Sequence, residues 1–390
     1  MNTLYWLLSY SWSGLLIAAV VGLIGWLITR FKRRRFVRWL GYAVCTLAAV
    51  MAIASGVATY RISRALNAHP PMGKLVDVGG YRLHILAEGD AKGGPTLVWI
   101  SGGHGSGLAM HHLHKRLRGE TRSILFDRPG TGWSDTGPFP SSTKREADEL
   151  NSLLTNTGEK GPFILLGHSY GGLLAANYAR RYPKNMAALV LLDPTPPDVM
   201  MYMPGGEGPN IAGNIARGSR MMGLMKLFGL YSDPQEPLAN RDDEIGKLIR
   251  TINEQLADVR TAMNARDQSP AGSWVAASVF SEWLDPKLLA ELVVYDGELG
   301  EMPVYLIAPE GDTKVADIKA MGVRDDEVPR AMNFLKHTRK RYLSISSRSE
   351  FIKAPDGTGH NYPYEAPGFV VEQVRNILAK SRTAVPTSQE

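Results

Sequence analysis

Two uncharged, apolar stretches open the chain, from Leu4 to Thr29 and from Trp39 to Tyr60, and neither has a polar face. A run of about 20 apolar residues is long enough to cross the hydrocarbon core of a bilayer, so each stretch predicts a membrane span. Trp6, Trp39, Tyr42 and Tyr60 fall near the ends of the stretches, where interfacial aromatics belong. The turn between them, residues 30–38, carries Arg30, Lys32, Arg33, Arg34, Arg35 and Arg38. Positive charge is retained on the cytoplasmic side, so the expectation is a two-span hairpin with everything beyond it extracytoplasmic. Residues 32 to 58 also read as a cleavable signal peptide, with a basic start, an apolar middle and small residues near Ala52, Ala54 and Ala58. The uncleaved hairpin is preferred because a first span precedes that segment. Both readings put the folded domain outside.

Past a linker at 61–72 the pattern changes. Val76 to Leu86 is two short β runs across Gly79-Gly80, a hairpin signal. Thr96–Ile100, Ser123–Phe126, Phe163–Leu166, Ala188–Leu192 and Pro303–Ile307 are continuous apolar runs, the pattern of strands buried on both faces. Helical patterns at 143–155 and 173–181 lie between them. Strand followed by helix, repeated, predicts an α/β fold: a mostly parallel central sheet with helices on both faces. The regularity breaks at 197–300, where Met200, Met201, Met203, Met221, Met222 and Met225 accumulate. Leu248–Met263 reads there as an amphipathic helix and Pro286–Val294 as another. The expected layout is a hairpin over 1–60, core over 73–196, a helical cap over 197–300, core again over 301–380, and a loose tail over 381–390.

Charge removes one class of function. The formal net charge is +6, and residues 1–38 hold six basic residues and no acid, so residues 39–390 sum to zero. The basic excess is one short turn, and no nucleic-acid surface is predicted. The one cysteine, Cys45, excludes an intrachain disulfide and reads as a small buried side chain. His104, His111, His112 and His114 cluster without an interleaved carboxylate or cysteine, so no metal and no cofactor is expected.

The chemistry concentrates at Gly167-His168-Ser169-Tyr170-Gly171-Gly172, directly after a buried strand and before a helix. A serine on so tight a turn needs small neighbours, and the turn lifts its Oγ while aiming a helix N-terminus at the reacting carbonyl. With this strand–turn–helix context the chain resembles an α/β-hydrolase over most of residues 73–380 except the cap. Ser101-Gly102-Gly103-His104-Gly105 resembles the oxyanion loop of that family, with Ser101 where many members have histidine. The resemblance implies Gly103 and Tyr170 N–H groups as the oxyanion hole. Asp127 to Asp135 is similar to the turn after the fourth strand and reads as structural, with Trp133 a possible substrate contact. Thr358-Gly359-His360-Asn361 is similar to the histidine loop, which makes His360 the base. For the acid, the family order of serine, acid, histidine favours Asp312, after the seventh strand. Glu310 and Asp193 remain alternatives, and Asp193 before Pro194 also reads as a turn cap.

The implied reaction is acyl transfer from an ester or amide to water through an acyl-enzyme at Ser169. A serine nucleophile argues against the aspartate-dependent epoxide hydrolases and haloalkane dehalogenases. The apolar cap and the anchor favour a hydrophobic, small-molecule ester or acyl substrate. A proline-iminopeptidase-like aminopeptidase, an acyltransferase and a non-catalytic membrane-tethered binding protein stay open. Oligomeric state is not written in the sequence.

Overall fold

The computed structural model describes residues 2–31, 35–196, 210–231, 235–289, 291–292, 294–310, 315 and 323–384. The first apolar stretch does not form one helix. Helix α1 (Asn2–Leu8) and α2 (Ser13–Thr29) meet at 106°. The cause is the serine-rich segment between them. Ser9 Oγ adds a back-bond to Tyr5 O at 2.7 Å, and the Ser13 hydroxyl takes Leu7 O, a carbonyl that a continuing helix would pair with the N–H of Ser11. Tyr5 then packs on Trp274 and Phe139, with ring centroids at 5.2 and 5.8 Å.

Helix α3 (Arg35–Ala68) runs back along α2. Gly14 abuts Ser55, Gly22 abuts Ala48 and Gly25 abuts Cys45, a seam of small residues that lets the backbones approach. The outward side chains, among them Leu16, Leu23, Leu27, Leu47, Val50 and Ile53, are exposed. Among the described residues, α3 is the one helix that is long and apolar enough to cross a membrane alone, and the bent α1–α2 pair qualifies only if taken together.

The apolar runs become an eight-stranded sheet in the order β1-β2-β4-β3-β5-β6-β7-β8. The strands are β1 (Lys74–Asp77), β2 (Arg82–Glu88), β3 (Thr96–Ile100), β4 (Ser123–Phe126), β5 (Phe163–His168), β6 (Met186–Leu192), β7 (Val304–Ala308) and β8 (Ser349–Lys353). β1 and β2 form the expected antiparallel hairpin, β2 joins β4 antiparallel, and the remaining pairs are parallel. β8 is a half-exposed edge strand with no apolar run to announce it.

Alternation explains the two-sided core. Val98 and Ile100 of β3 face α5 (Thr143–Asn156) and α6 (Tyr170–Arg181), while Leu97 and Trp99 face α4 (His111–Leu117) and the C-terminal helix. Each such large side chain removed from water contributes about 1.5–3 kcal/mol.

After β6 come α7 (Asn210–Leu227), α8 (Gln235–Ala239), α9 (Glu244–Gln255), α10 (Arg260–Asp267), α11 (Ala271–Ser281) and α12 (Pro286–Leu289). The helix expected over 248–263 is thus two helices. Leu256 and Val259 at the break are buried against the core, which pins the corner there. The helix expected from Pro286 is a single turn. α7 packs along α11, and this insertion rests on the start of α6 through Val275, Val279 and Phe280 against Tyr170 and Leu173. It also touches the N-terminal hairpin, α10 and α7 against α3, and α11 against α1. The chain ends with α13 (Val328–Lys340), α14 (Tyr362–Glu365) and α15 (Pro367–Ala384) around β8.

Candidate active site

Ser169 sits between β5 and α6 at φ 54° and ψ −124°, a conformation an L-residue holds only under constraint. The constraint is steric. A Cβ at Gly167 would lie 2.2 Å from Gly171 O, and one at Gly171 would lie 2.4 Å from Ile100 O. Only glycines let the turn close this tightly. Ser169 N donates to Leu192 O at 3.1 Å, and Thr195 N donates to Ser169 O at 2.9 Å, so the turn is tied to the end of β6. Ser169 Oγ lies 3.3 Å from Thr195 Oγ1.

His360 lies just before α14. Its Nδ1 is 2.7 Å from Asp193 Oδ2. Asp193 terminates β6 at φ 42°, and its side chain is 1% exposed. Arg339 from α13 brings Nε to 3.0 Å from the other carboxylate oxygen. Burial opposes ionisation of Asp193, but the hydrogen bond and charge of His360, with Arg339, outweigh it and hold the carboxyl below its usual value. Asp312, the acid expected from chain order, lies outside the described residues. Glu310 is described: its side chain is 56% exposed, and Lys353 stands 3.9 Å away.

His168, inside the turn motif, packs against His360. Its Nε2 meets His360 O at 2.9 Å and the two rings stand 4.8 Å apart. Burial pushes this imidazole down to about 3, so it is neutral and donates Nε2–H to that carbonyl. Ser169 and His360 make no hydrogen bond to each other among the described residues. Such catalytic hydrogen bonds are commonly long before substrate binds.

The Gly-rich loop after β3 faces the serine. A Cβ at Gly102 would stand 3.1 Å from Ser169 Cβ and 3.0 Å from His168 Nδ1. Gly103 adopts φ 53°. The buried Arg128 pins the loop by its carbonyls, with Nη2 at 2.5 Å from Gly103 O, 3.4 Å from Gly105 O and 3.5 Å from Gly102 O. Behind Arg128, the Tyr170 hydroxyl donates to Glu146 at 3.1 Å, and burial pushes Glu146 up to about 6. Thr143 N donates to Glu282 at 2.9 Å, and burial raises Glu282 to about 8. The Tyr170 side chain is therefore a packing and hydrogen-bonding element, and only its backbone N–H is available for the expected oxyanion role.

The clustered histidines separate into individual contacts. His104 Nε2 meets Pro129 O at 3.1 Å, His112 Nε2 meets Pro363 O at 3.0 Å, and His114 bridges Ser123 and Glu88. Asp127 accepts from His84, Ser106, Gly107 N and Trp133 N, which makes the turn after β4 a structural hub. Trp133 is buried and donates to His69 O at 2.9 Å.

The family model for the alpha/beta hydrolase family matches residues 97–373, more than half of the chain. The chain belongs to the α/β-hydrolase family. It is 31% identical over 126 residues to an uncharacterised Bacillus subtilis protein, YbdG, covering 31% of this chain and 37% of that relative. Its fold matches an enol-lactonase from Burkholderia xenovorans LB400 (TM-score 0.55, 15% identity, 78% of this chain and 100% of the other). It also matches a thermophilic esterase from Thermogutta terrifontis (TM-score 0.51, 20% identity, 79% and 98%).

In this α/β-hydrolase, four side chains around the site escape a reading of the sequence: Arg128, His168, Thr195 and Arg339. Arg128 and Arg339 look like any basic residue. His168 and Thr195 do carry a signal, since each lies within three residues of the end of a strand, β5 or β6, whose next residue is Ser169 or Asp193.

Proposed function

We propose that this protein is a membrane-anchored serine hydrolase that cleaves a carboxylic ester through an acyl-enzyme. The observation that carries the proposal is the 2.7 Å contact of His360 Nδ1 with buried Asp193, beside a serine held at φ 54°. Ser169 Oγ attacks the substrate carbonyl and gives its proton to His360 Nε2. Asp193 accepts Nδ1–H, fixes the tautomer and stabilises the imidazolium. Arg339 keeps Asp193 ionised, and His168 holds the backbone of His360. The N–H groups of Tyr170 and Gly103 stabilise the oxyanion, with Arg128 fixing the loop that contains Gly103. The tetrahedral intermediate then collapses: the ester C–O bond breaks and His360 gives its proton to the departing alkoxide, which leaves as the alcohol. Water, giving a proton to His360, attacks the acyl-enzyme, and the acid is released as His360 returns that proton to Ser169 Oγ.

The anchor is the α2–α3 hairpin. Its exposed apolar exterior and small-residue seam support two spans, and the basic turn at 30–38 supports a cytoplasmic tip. With 34 residues, α3 is about 50 Å long, against roughly 30 Å of hydrocarbon core, so its last turns stand clear of the bilayer. Arg266 Nη2 caps it there, 3.4 Å from Leu66 O and 3.0 Å from His69 O. The helical insertion serves as a cap and sits at the bilayer surface, which suits a hydrophobic ester.

A fluorophosphonate probe applied to membranes tests this function. Wild type should be labelled and Ser169→Ala should not. A folded wild type that stays unlabelled would contradict it.

A further inference from the structure

A cavity of about 380 Å³ opens between the helical insertion and the turn after β4. Its walls include His104, Thr131, Lys226, Tyr231, Arg266 and Asp267. His104 directly follows Gly103, which links the cavity to the Gly-rich loop that faces Ser169. It also shares Gly130, Gly132, Arg266 and Ser269 with a wider cavity of about 980 Å³ that reaches Trp6 and Tyr10 of the N-terminal hairpin.

Lys226 is the anomaly on these walls. It is 6% exposed, and among the described residues it has neither a hydrogen bond nor an ion pair. Its ammonium lies 4.7 Å from the centroid of the Tyr231 ring. Burial pushes its pKa down, and Asp267 on the same wall opposes that only by its charge at a distance. A lysine held this far from bulk water with no anion in contact is costly, and a methionine would fill the space without that cost. Arg266 adds a second positive charge to the wall. Its guanidinium lies 4.9 Å from the centroid of the Trp133 ring, and it is held by Leu66 O and His69 O. One carboxylate, Asp267, faces these two cations, so the cavity carries a net positive charge among its described residues.

The geometry points to a subsite in which Lys226, assisted by Arg266, pairs with an anionic group, carboxylate or phosphate, on the substrate. This rests on the ester-hydrolase reading above and narrows its substrate to an anionic amphiphile. The apolar part lies toward the hairpin, the anionic group meets Lys226, and the ester reaches Ser169. The placement of Lys226 agrees with this. The carbonyl of the next residue, Leu227, packs on Gly14 of α2, so the cation sits where insertion and anchor join.

The test compares full-length enzyme in detergent on two aryl esters of equal chain length, one neutral and one ending in a carboxylate. Lys226→Met should lower the ratio of kcat/KM for the anionic over the neutral ester at least tenfold, and Lys226→Arg should restore most of it. The ratio does not depend on the folded fraction, so a loss of yield cannot imitate the effect. An unchanged ratio in Lys226→Met overturns the subsite.

If wild type cleaves neither ester, the hydrolase reading fails instead. The subsite is then judged by calorimetry on Ser169→Ala protein. Dodecyl phosphate should bind at least tenfold more weakly after Lys226→Met, and equal binding overturns the subsite. Inorganic phosphate in the same titration separates recognition of a free anion from recognition of an amphiphile: binding as tight as dodecyl phosphate would overturn the amphiphile assignment.

Discussion

At the end of β6, Asp193 is almost sealed from water, held at positive φ, and met on one oxygen by His360 and on the other by Arg339. At the end of β7, two positions past Ala308, Glu310 is more than half exposed, and among the described residues Lys353 approaches it loosely at 3.9 Å. Both strands are parallel neighbours and both end at the same edge of the sheet. The difference lies in what covers them. α13 and the His360 loop close over β6, so a carboxylate there acts in a low dielectric on one fixed partner, whereas water screens the charge of Glu310. A roofed strand end holds a carboxylate against one fixed partner, and the presence of an acid at a strand end is not enough for that.

The largest effect should come from breaking the buried end. Asp193→Asn should lower ester hydrolysis by about ten-thousand-fold, the loss expected when the base is left in the wrong tautomer. Glu310→Gln should stay within about twofold, as for a surface change away from the site. Initial rates with an aryl ester measure both. Crowding the loop opposite Ser169 comes next. Gly102→Ala puts a methyl against Ser169 Cβ and His168, and should cost about a hundredfold in kcat through the misplaced oxyanion donors.

A smaller change should follow from unroofing one side of the carboxylate. Arg339→Leu removes the cation beside Oδ1, so the Asp193 pKa rises and its ionised form is lost at a higher pH. The acid limb of the pH–rate profile should move upward, with the loss greatest at the acid end of the profile and small near about pH 8. The smallest effect should be on stability. Burial holds Glu282 protonated in the fold up to about 8, against 4.5 as its ordinary value. The fold therefore binds a proton that the unfolded chain has released, and stability from this group falls as pH rises between those values. Glu282→Gln should flatten the dependence of Tm on pH between 5 and 8.

Much of this was legible in the sequence where local pattern and tertiary role coincide. The continuous apolar runs became the parallel strands, Gly-x-Ser-x-Gly became the tight turn, and His360 stands in the loop the family resemblance implied. The carboxylate that meets His360 was less legible because the contact depends on which strand end the histidine loop reaches, a long-range matter. Asp193 before Pro194 looked like an ordinary turn, although it follows its strand as Ser169 follows β5. Asp312 remains an expectation from chain order alone. The bend between α1 and α2 was hidden by counting charges, since serines and aromatics interrupt that helix without adding any.

The most direct test of the account is the rate of fluorophosphonate labelling of Asp193→Asn beside Asp312→Asn, because it reports activation of Ser169 without assuming a substrate. The account predicts labelling slowed by several hundredfold or more in Asp193→Asn and close to the wild-type rate in Asp312→Asn. The reverse result would contradict it and return the orienting acid to the end of β7.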